Sequence, residues 1–558
     1  MTSSISTQTP HWSISFEGMH FPRSHVPFVA IDYLAEAGIS DTEAYHVLNK
    51  LIEIENDKLP LKENQGGILT PHILSRFKLS KELLRCIRDA LLGKSFIINA
   101  VAGSGKSASL RLLGHFKMLS AGTKDRFLYI MFNRSVREDM ERQINNQNVT
   151  VRTLNAITFG LVHIGKFGNA QIIDNDKIII ISKSLTGDSD YSTQIAKGWE
   201  ILVADLMDLQ DTEGCLRNLT DREFKLPLPH TLNDEFIDLI RKVDQLARDS
   251  LRVWATNTEL DRYALENKLC AKSYASVFID EFQDLSRLQI NLIKILFPET
   301  HCVFVGDPHQ SIYGFRGSCV DALAYIKSQF SITIENALPL SHRTPIKVTA
   351  LANQLNPLIR HRHDAKEGKV IHLSNKLELG NLLPQLPNGT MFIALTNNSL
   401  LDFLLHHIHY GKSISAIMAT SQEIESTRSL IQNNIRMRSS LSSLVAKETH
   451  SEELVTKPIN VDSLAETCML AAKLNNGTTE TAYRYAMLLR PSGEQADFQI
   501  STIHRAKGLE AEYVVFLDYF PMDALSQDQA SPSAREKLNA LYVGITRSSD
   551  TLITVPNQ

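Results

Sequence analysis

The sequence predicts an α/β fold with two parallel-sheet domains and mainly helical insertions. Short apolar runs are each followed by a loop of Gly, Asp, Asn or Ser and then by a helical pattern, as is typical of buried parallel strands. The chain has 558 residues, whereas a single hydrophobic core stops growing at about 250–300 residues. More than one domain is therefore expected.

Four of these apolar runs precede residue 310, and a polar or glycine-rich segment begins where each one ends. They are 95–100, 127–132, 276–279 and 302–305. Ligands of open α/β sheets bind beyond the carboxyl ends of the strands, so these four loops are expected to meet at one crevice. A second set of strands is predicted at 390–395, 498–502, 513–517 and 551–555.

The two strand groups and the helical stretches between them predict the domain organisation. The ranges are 1–75 for an N-terminal accessory region, 76–160 with 272–330 for the first sheet domain, 161–271 for a helical insertion, 331–410 with 495–558 for the second sheet domain, and 411–494 for a small insertion. Helical spacing is also present at 32–59. No residue of the accessory region indicates a chemistry.

Composition is that of an ordinary globular protein, with 43% hydrophobic and 22% charged residues. The six cysteines form no C-x-x-C pair, which argues against a zinc site or a disulfide framework and favours a reducing compartment. No apolar run approaches the roughly 20 residues of a membrane span. We therefore expect a cytoplasmic protein without membrane contact. The net charge of −4 gives no basic footprint, although a locally positive groove is enough to grip a nucleic-acid strand.

A phosphate-binding loop is predicted between the first strand and the helix that follows it. The segment reads Ala100-Val101-Ala102-Gly103-Ser104-Gly105-Lys106-Ser107. Small residues let backbone N–H groups close around phosphate oxygens, Lys106 reaches the β- and γ-phosphates, and the Ser107 hydroxyl ligates magnesium. A chance glycine-rich turn is the alternative, and the position between strand and helix disfavours it.

Two acidic residues follow the strand at 276–279. Asp280 is expected to hold magnesium, mostly through water, and Glu281 to polarise the attacking water. Two acids after a strand are, by themselves, more often a helix N-cap. Their occurrence with a phosphate loop favours the catalytic interpretation.

A third motif follows the strand at 302–305, and with it the chain resembles a known family. It reads Val305-Gly306-Asp307-Pro308-His309-Gln310-Ser311-Ile312-Tyr313-Gly314-Phe315-Arg316-Gly317. Together with Asp280-Glu281-Phe282-Gln283-Asp284, it closely resembles the UvrD, Rep and PcrA branch of superfamily 1 helicases. The resemblance implies two RecA-like P-loop motor domains, ATP and Mg²⁺ as cofactors, and single-stranded and duplex DNA as partners.

The resemblance also implies residues that contact the nucleotide. Arg343, in the run 340–344, would reach the γ-phosphate, and Arg547, in the run 540–547, would be an arginine finger. Such arginines can be worth about 10³–10⁵ in rate. Gln310 would couple the two ends of the cleft. The other implied ATP contacts are Arg316, Glu510 and His342, which stands where the family usually has tyrosine.

DNA contacts follow from the same resemblance. Exposed aromatic side chains stack on bases of any sequence for about 1–3 kcal/mol per base. Phe315 is the first candidate for this role, and Phe132 is the second. The remaining implied contacts are Asn133, Arg134, Thr153, Thr502 and His504.

These features predict an ATP-dependent 3′–5′ single-stranded DNA translocase that also unwinds duplex DNA. The insertion at 411–494 is shorter than the subdomain by which larger family members regulate unwinding. An alternative is therefore a nucleic-acid-sensing ATPase subunit of a repair or anti-phage complex, which has a protein partner and does not unwind by itself. An ATPase for proteins or small molecules would leave the run 502–510 without a use. The choice between DNA and RNA stays open.

Overall fold

The structure is a computed structural model that describes most of the chain. The described residues are 4–6, 13–16, 19–22, 80–91, 93–119, 125–132, 134–144, 146–168, 172–224, 233–396, 399–400, 403, 414–416, 489–490, 496–520 and 531–556. The chain forms two compact units. The first comprises residues 1–339 and 531–536, and the second comprises residues 340–530 and 537–558.

The first unit is built around a six-stranded parallel sheet. Its strands are β4 (Phe96–Ala100), β5 (Phe127–Met131), β6 (Val149–Thr153), β9 (Ser276–Ile279), β10 (His301–Gly306) and β11 (Glu335–Leu338). Their order across the sheet is β11-β4-β10-β9-β5-β6. The remaining strands of this unit are an antiparallel set, β1 (Ser4–Ser6), β2 (Ser13–Phe16) and β3 (Met19–Pro22), and a short parallel pair, β7 (Ile172–Ile173) and β8 (Trp254–Ala255).

Helices cover both faces of this sheet, so its strands are apolar on both sides. Successive residues of β4 show the alternation: Phe96 and Ile98 belong to one core cluster, and Ile97 belongs to the other. The helices of the unit are α1 (Lys81–Leu91), α2 (Lys106–Leu119), α3 (Arg134–Gln143), α4 (Leu154–Thr158), α5 (Lys177–Thr186), α6 (Ser189–Ala204), α7 (Thr212–Asp221), α8 (Asn233–Ser250), α9 (Asn257–Glu266), α10 (Arg287–Leu296) and α11 (Ala322–Phe330).

Helices α5 to α9 form the helical insertion between β6 and β9. Its own core contains Trp199 and Phe236, which are almost fully buried. A capping box formed by Thr256 and Glu259 begins α9 of the insertion, and a second one, formed by Ser286 and Gln289, begins α10 outside it. In such a box, two backbone N–H groups that the helix cannot pair are bonded by side chains. The insertion is thus a packed body with defined helix ends.

The second unit contains a seven-stranded parallel sheet in the order β14-β20-β19-β15-β18-β16-β17. The strands of the unit are β12 (Leu340–Ser341), β13 (Arg360–His361), β14 (Lys369–His372), β15 (Thr390–Ala394), β16 (Ile414–Ala416), β17 (Leu489–Arg490), β18 (Phe498–Thr502), β19 (Ala511–Tyr519) and β20 (Ser548–Pro556). Its helices are α12 (Ile346–Asn353), α13 (Lys376–Leu382), α14 (Ile503–Ala506) and α15 (Pro532–Ile545), whose first turn is counted with the first unit.

The α/β class and all eight predicted strands are confirmed, with strand ends that differ by at most three residues. The first sheet also gains β11, which pairs with β4 beyond the boundary that was predicted after residue 330. Likewise β16 and β17 join the second sheet, although both were assigned to the insertion 411–494. The rest of that insertion and the helical segment predicted at 32–59 lie outside the described residues.

Among the helices that the structure describes, none is long and apolar enough to cross a membrane.

A buried carboxyl group in the helical insertion makes the stability of the protein depend on pH. Asp261 of α9 accepts a hydrogen bond of 2.7 Å from Thr158 Oγ1. Burial raises the pKa of Asp261 to about 7, and the bonds from Thr158 and Gln289 only partly oppose this rise. In the unfolded chain the same carboxyl has a pKa of about 3.9. Between these two pH values, Asp261 therefore keeps its proton in the folded protein, whereas the unfolded chain has released it.

Stability from this group is accordingly present below pH ~4 and is lost as pH rises towards 7. We expect the thermal midpoint of the native chain to fall between pH 5 and pH 8 by more than that of Asp261→Asn, which mimics the protonated acid. Asp249→Asn, at an exposed position of α8, serves as the control. Parallel pH profiles for the native chain and Asp261→Asn would contradict the assignment.

Candidate active site

The predicted phosphate loop lies between β4 and α2, at the carboxyl edge of the first sheet. Gly103 and Gly105 have φ angles of +73° and +81°, a left-handed conformation that only glycine adopts without strain. They direct the chain into α2, which has no acidic residue in its first turn. The first turn of this helix therefore contributes no carboxylate of its own that would compete with an anion.

Several side chains of the phosphate loop are buried. Ala100, Val101 and Ala102 are fully buried. Ser104 is also buried, and its Oγ atom has no hydrogen-bond partner. A buried hydroxyl without a partner is costly, and a phosphate oxygen in the loop would supply the missing partner. The residues of the loop therefore fit a bound phosphate chain.

A hydrogen bond and an ion pair connect the loop with the end of β9. The Ser107 hydroxyl donates a hydrogen bond of 3.1 Å to Asp280 Oδ2, and Lys106 Nζ lies 4.0 Å from Glu281 Oε1. Ser107 and Asp280 thus offer two neighbouring oxygen ligands of the kind that Mg²⁺ prefers. The structure thus brings together Ser107 and Asp280, which were predicted to hold the metal, Glu281, which was predicted to activate water, and Lys106, which was predicted to reach the phosphates.

The electrostatics of the pair Asp280 and Glu281 also fit a cation. Burial raises the pKa of Asp280 to about 7, and the negative charge of Glu281 adds to this effect. Lys106 and the bond from Ser107 act in the opposite direction without cancelling it. The site therefore has more negative charge than its own cation balances, and a divalent cation would favour the ionised form of Asp280.

Glu281 has a strained backbone. Its φ and ψ angles are 53° and 48°, which is the left-handed region that a non-glycine residue seldom occupies. The sharp turn buries the neighbouring Phe282 completely in the core, whereas the Glu281 side chain is 25% exposed. Such strain is concentrated at functional sites, and here it keeps a carboxylate accessible at a buried edge.

Gln283 links this carboxylate to the third motif. Its Nε2 donates to Glu281 Oε2 at 2.5 Å, and its Oε1 accepts from the backbone N–H of Asp307 at 3.0 Å. Asp307 in turn accepts from Gln310 Nε2 at 2.9 Å. Burial opposes ionisation of Asp307, but His309, Lys106 and Gln310 outweigh it and hold its pKa below the usual value. Gln310 is therefore joined to Glu281 through two intermediate residues.

The third motif also presents aromatic side chains at the surface. Phe315 is 50% exposed and Phe132 is 41% exposed. Tyr313 lies between them: its ring stacks on Phe132 with centroids 5.7 Å apart and is tilted against Phe315 at 6.3 Å. The Arg316 guanidinium lies 5.5 Å from the Phe315 ring centre. These four side chains form one surface, which we call the aromatic platform.

Other residues predicted to contact DNA have partners within the first unit. Arg134 is exposed and pairs with Glu138 at 2.7 Å. Thr153 caps α4, since its side chain accepts from the N–H of Ala156 at 3.2 Å. Asn133 lies outside the described residues. For Arg134 and Thr153, contact with DNA stays a prediction.

In the second unit, three residues predicted to contact ATP lie together. Arg343 Nε donates to Glu510 Oε2 at 2.5 Å, and its guanidinium also approaches the carbonyl of Thr546 at 3.4 Å. Arg547 follows Thr546 but is only 1% exposed. Its guanidinium donates to the carbonyls of Val543 and Leu509 at 2.9 and 3.0 Å. The role of Arg547 as an arginine finger stays a prediction.

Of the other predicted residues of this unit, His342 is exposed, whereas Thr502 and His504 are half-buried. Desolvation and the charge of Arg362 lower the pKa of His342, which favours a neutral imidazole. Thr502 ends β18 as the N-cap residue of α14, and His504 lies in that helix. Their contacts with adenine and DNA stay predictions.

Sequence reasoning assigned no role to three residues that the geometry singles out. Gln283 and Asp307 form the link between the motifs, and Tyr313 is the centre of the aromatic platform. All three stood within motifs that were recognised. For Tyr313, the signal was an aromatic residue two positions before Phe315; Gln283 and Asp307 had no comparable signal.

Comparison with known proteins places these motifs in a family. Residues 166–331 match the model of the UvrD/REP helicase N-terminal domain, and residues 497–555 match the model of the UvrD-like helicase C-terminal domain. The chain is 26% identical over 360 residues to a probable DNA helicase II homolog of Mycoplasma capricolum, an alignment that covers 60% of this chain and 48% of that protein.

Two F-box helicases align over more of the chain. Identity to F-box DNA helicase 1 of Gallus gallus is 23% over 527 residues, 86% of this chain and 49% of the relative. Identity to F-box DNA helicase protein 1 of Schizosaccharomyces pombe is 21% over 505 residues, 83% and 55% respectively. The chain thus spans about half the length of the curated relatives it matches. The two domain matches, the order of the motifs and the two parallel sheets support a UvrD/Rep-type superfamily 1 helicase.

Proposed function

We propose that this chain is an ATP-dependent, Mg²⁺-requiring motor that moves 3′ to 5′ along single-stranded DNA and separates duplex DNA. The observation that carries the proposal is the bonded path from the phosphate loop to the aromatic platform. Gln283 bonds Glu281 through its amide, and its backbone carbonyl accepts from Ser311 Oγ at 3.2 Å. Ser311 is two residues from Tyr313. A movement of Glu281 at the γ-phosphate can therefore be transmitted to the platform through the hydrogen bonds of Gln283 and Ser311.

In ATP hydrolysis, the residues of each loop and strand end have different proposed roles. The N–H groups of the phosphate loop and Lys106 bind the phosphates, and Glu281 orients the attacking water and accepts its proton. Bound Mg²⁺, held by Ser107 and Asp280, would neutralise charge on the β- and γ-phosphate oxygens. Arg343 and Arg547 are proposed to supply guanidinium donors to the transferring phosphoryl group.

For the strand, the platform offers rings that stack on bases without regard to sequence. Arg316 was predicted to contact ATP, but its guanidinium lies beside Phe315, and we propose that its positive charge meets the phosphates of the strand. Several relatives are named DNA helicases, which supports DNA as the substrate of this chain. The 3′–5′ direction rests on the resemblance of the motifs to UvrD, Rep and PcrA.

The first test concerns Glu281. We expect Glu281→Gln to bind ATP but to lower the ATPase rate at saturating DNA by about 10²–10⁴, because the amide cannot accept the proton of the attacking water. The rate is measured by phosphate release with and without single-stranded DNA. Glu299→Gln is a matched control, since Glu299 is exposed and also has a left-handed backbone, with φ of 61°.

A Glu281→Gln rate equal to that of the control would overturn the assigned role. In the native chain, a rate indifferent to DNA would sink the translocase proposal as a whole. Stimulation by DNA without any separation of a duplex that has a 3′ single-stranded tail would leave a nucleic-acid-sensing ATPase.

The second test concerns the platform. Phe315→Ala removes a stacking partner, so we expect single-stranded DNA to bind about 1–3 kcal/mol less tightly, which is roughly five- to hundredfold. Fluorescence of an oligonucleotide containing 2-aminopurine reports both affinity and stacking. Leu246→Ala, at a residue of the helical insertion that is 42% exposed, is expected to leave both unchanged. Equal affinity and equal quenching for Phe315→Ala and the native chain would exclude Phe315 from the DNA site.

A further inference from the structure

Three of the four side chains of the aromatic platform, Tyr313, Phe315 and Arg316, lie on a short turn whose carboxyl-terminal end is buried. In the segment 313–318, Phe315 and Arg316 are exposed, whereas Gly317 and Ser318 are buried. The turn is closed by a bond of 3.0 Å from the N–H of Gly317 to the carbonyl of Gly314. Its end is fixed to the catalytic strand end, since Ser318 Oγ donates to the carbonyl of Asp284 at 3.1 Å.

An arginine of the helical insertion holds both ends of this turn. Arg222 NH1 donates to the carbonyl of Gly314 at 2.8 Å and to the carbonyl of Ser318 at 3.1 Å, and NH2 donates to the same Ser318 oxygen at 3.2 Å. Arg222 lies just after α7, 92 residues before Gly314 in the chain. One rigid planar group therefore fixes the distance between the ends of the turn.

Asp205 orients the guanidinium of Arg222. Arg222 Nε donates to Asp205 Oδ2 at 2.8 Å and NH2 donates to Oδ1 at 2.7 Å, a two-point pair in which the side chains are 6% and 4% exposed. Asp205 also accepts from Asn218 Nδ2 at 2.9 Å. A guanidinium has five N–H donors, and these five bonds engage all of them. No water or phosphate competes for a donor that is already bonded in a buried site.

The end of α6 packs against the same turn. Gly317 has a φ of +81°, and a Cβ atom at this position would lie 2.5 Å from Ala204 Cβ. Glu200 lies one turn earlier in α6; desolvation raises the pKa of its carboxyl group, and the nearby charge of Arg316 opposes the rise. The insertion thus contacts the turn in three ways. Arg222 bonds the backbone of the turn, Ala204 packs against Gly317, and Glu200 places a charge near Arg316.

We propose that Arg222, oriented by Asp205, is a positioning residue that holds the turn 313–318 in the conformation that presents Phe315 and Arg316 to a single strand. The inference rests on the proposed function of the aromatic platform. A turn that is already ordered does not lose conformational freedom when a base stacks on Phe315, so binding is stronger. The helical insertion, on this view, sets the affinity of the motor for its strand.

The test uses the double variant Asp205→Asn with Arg222→Met. It removes both charges together, because a buried carboxylate left without its arginine destabilises the fold by itself. The introduced asparagine retains an oxygen for Asn218, and the introduced methionine fills the space of the arginine stem. We expect about tenfold weaker binding of a 2-aminopurine oligonucleotide, with KM for ATP and the ATPase rate without DNA unchanged. Amide hydrogen exchange at 313–318, measured without DNA, is expected to be faster.

A control removes another aspartate–arginine pair of the insertion, one whose side chains are more exposed. Arg241 donates to Asp238 and to the carbonyl of Leu209 at 2.6 Å, and neither contact involves the turn. The double variant Asp238→Asn with Arg241→Met should therefore retain native DNA affinity and native exchange at 313–318. Arg222→Lys, whose ammonium cannot make the same five bonds, should lie between the native chain and the Asp205 and Arg222 double variant.

The outcomes separate the inference from the function on which it rests. If the Asp205 and Arg222 double variant keeps native affinity and exchange while Phe315→Ala binds weakly, the platform stands and the positioning role is overturned. If Phe315→Ala binds as the native chain does, the platform itself is overturned, and with it the positioning role. Faster exchange confined to 313–318 and weaker DNA binding, at an unchanged ATPase rate without DNA, support the inference, because general unfolding would speed exchange throughout the chain and lower that rate.

Discussion

The arrangement of the first unit depends on the side-chain amide of Gln283. A buried amide has to satisfy both its N–H₂ group and its oxygen, and here one end bonds the carboxylate of Glu281 and the other bonds the backbone of Asp307. Gly306 makes this possible, since a Cβ atom there would lie 2.3 Å from Gln283 Oε1. The amide therefore fixes two strand ends relative to each other at the point where hydrolysis is proposed to occur.

Short chains of hydrogen bonds connect this amide with more distant parts of the first unit. The loop after β10 leads to the aromatic platform, and the platform is held from its other side by a guanidinium of the helical insertion. The insertion is separated from the motifs by many residues but contacts their backbone directly. The part of the chain without any recognised motif is thus proposed to adjust the part that contains the chemistry.

Local patterns in the sequence predicted the two sheets, because a strand buried on both faces must be apolar along its whole length. They also predicted the phosphate loop, whose glycines are required by backbone angles at Gly103 and Gly105. Strand β11 was missed, since its residues Glu335 and Asn336 interrupt the apolar pattern at the sheet edge. Contacts between distant segments could not be predicted in the same way. The bond of Arg222 to Gly314 and the burial of Arg547 both depend on which surfaces pack together. The periodicity of apolar residues in the sequence does not predict such packing.

The left-handed backbone of Glu281 places two opposite effects on stability at one position. The strain at this residue is proposed to be tolerated because the carboxylate serves at the edge of the sheet. Glycine at 281 would relax the backbone and remove a negative charge from beside the buried Asp280, but it would also leave the N–H₂ group of Gln283 without the carboxylate that it bonds. A change at this position therefore alters the proposed hydrolysis and the link between the two strand ends together.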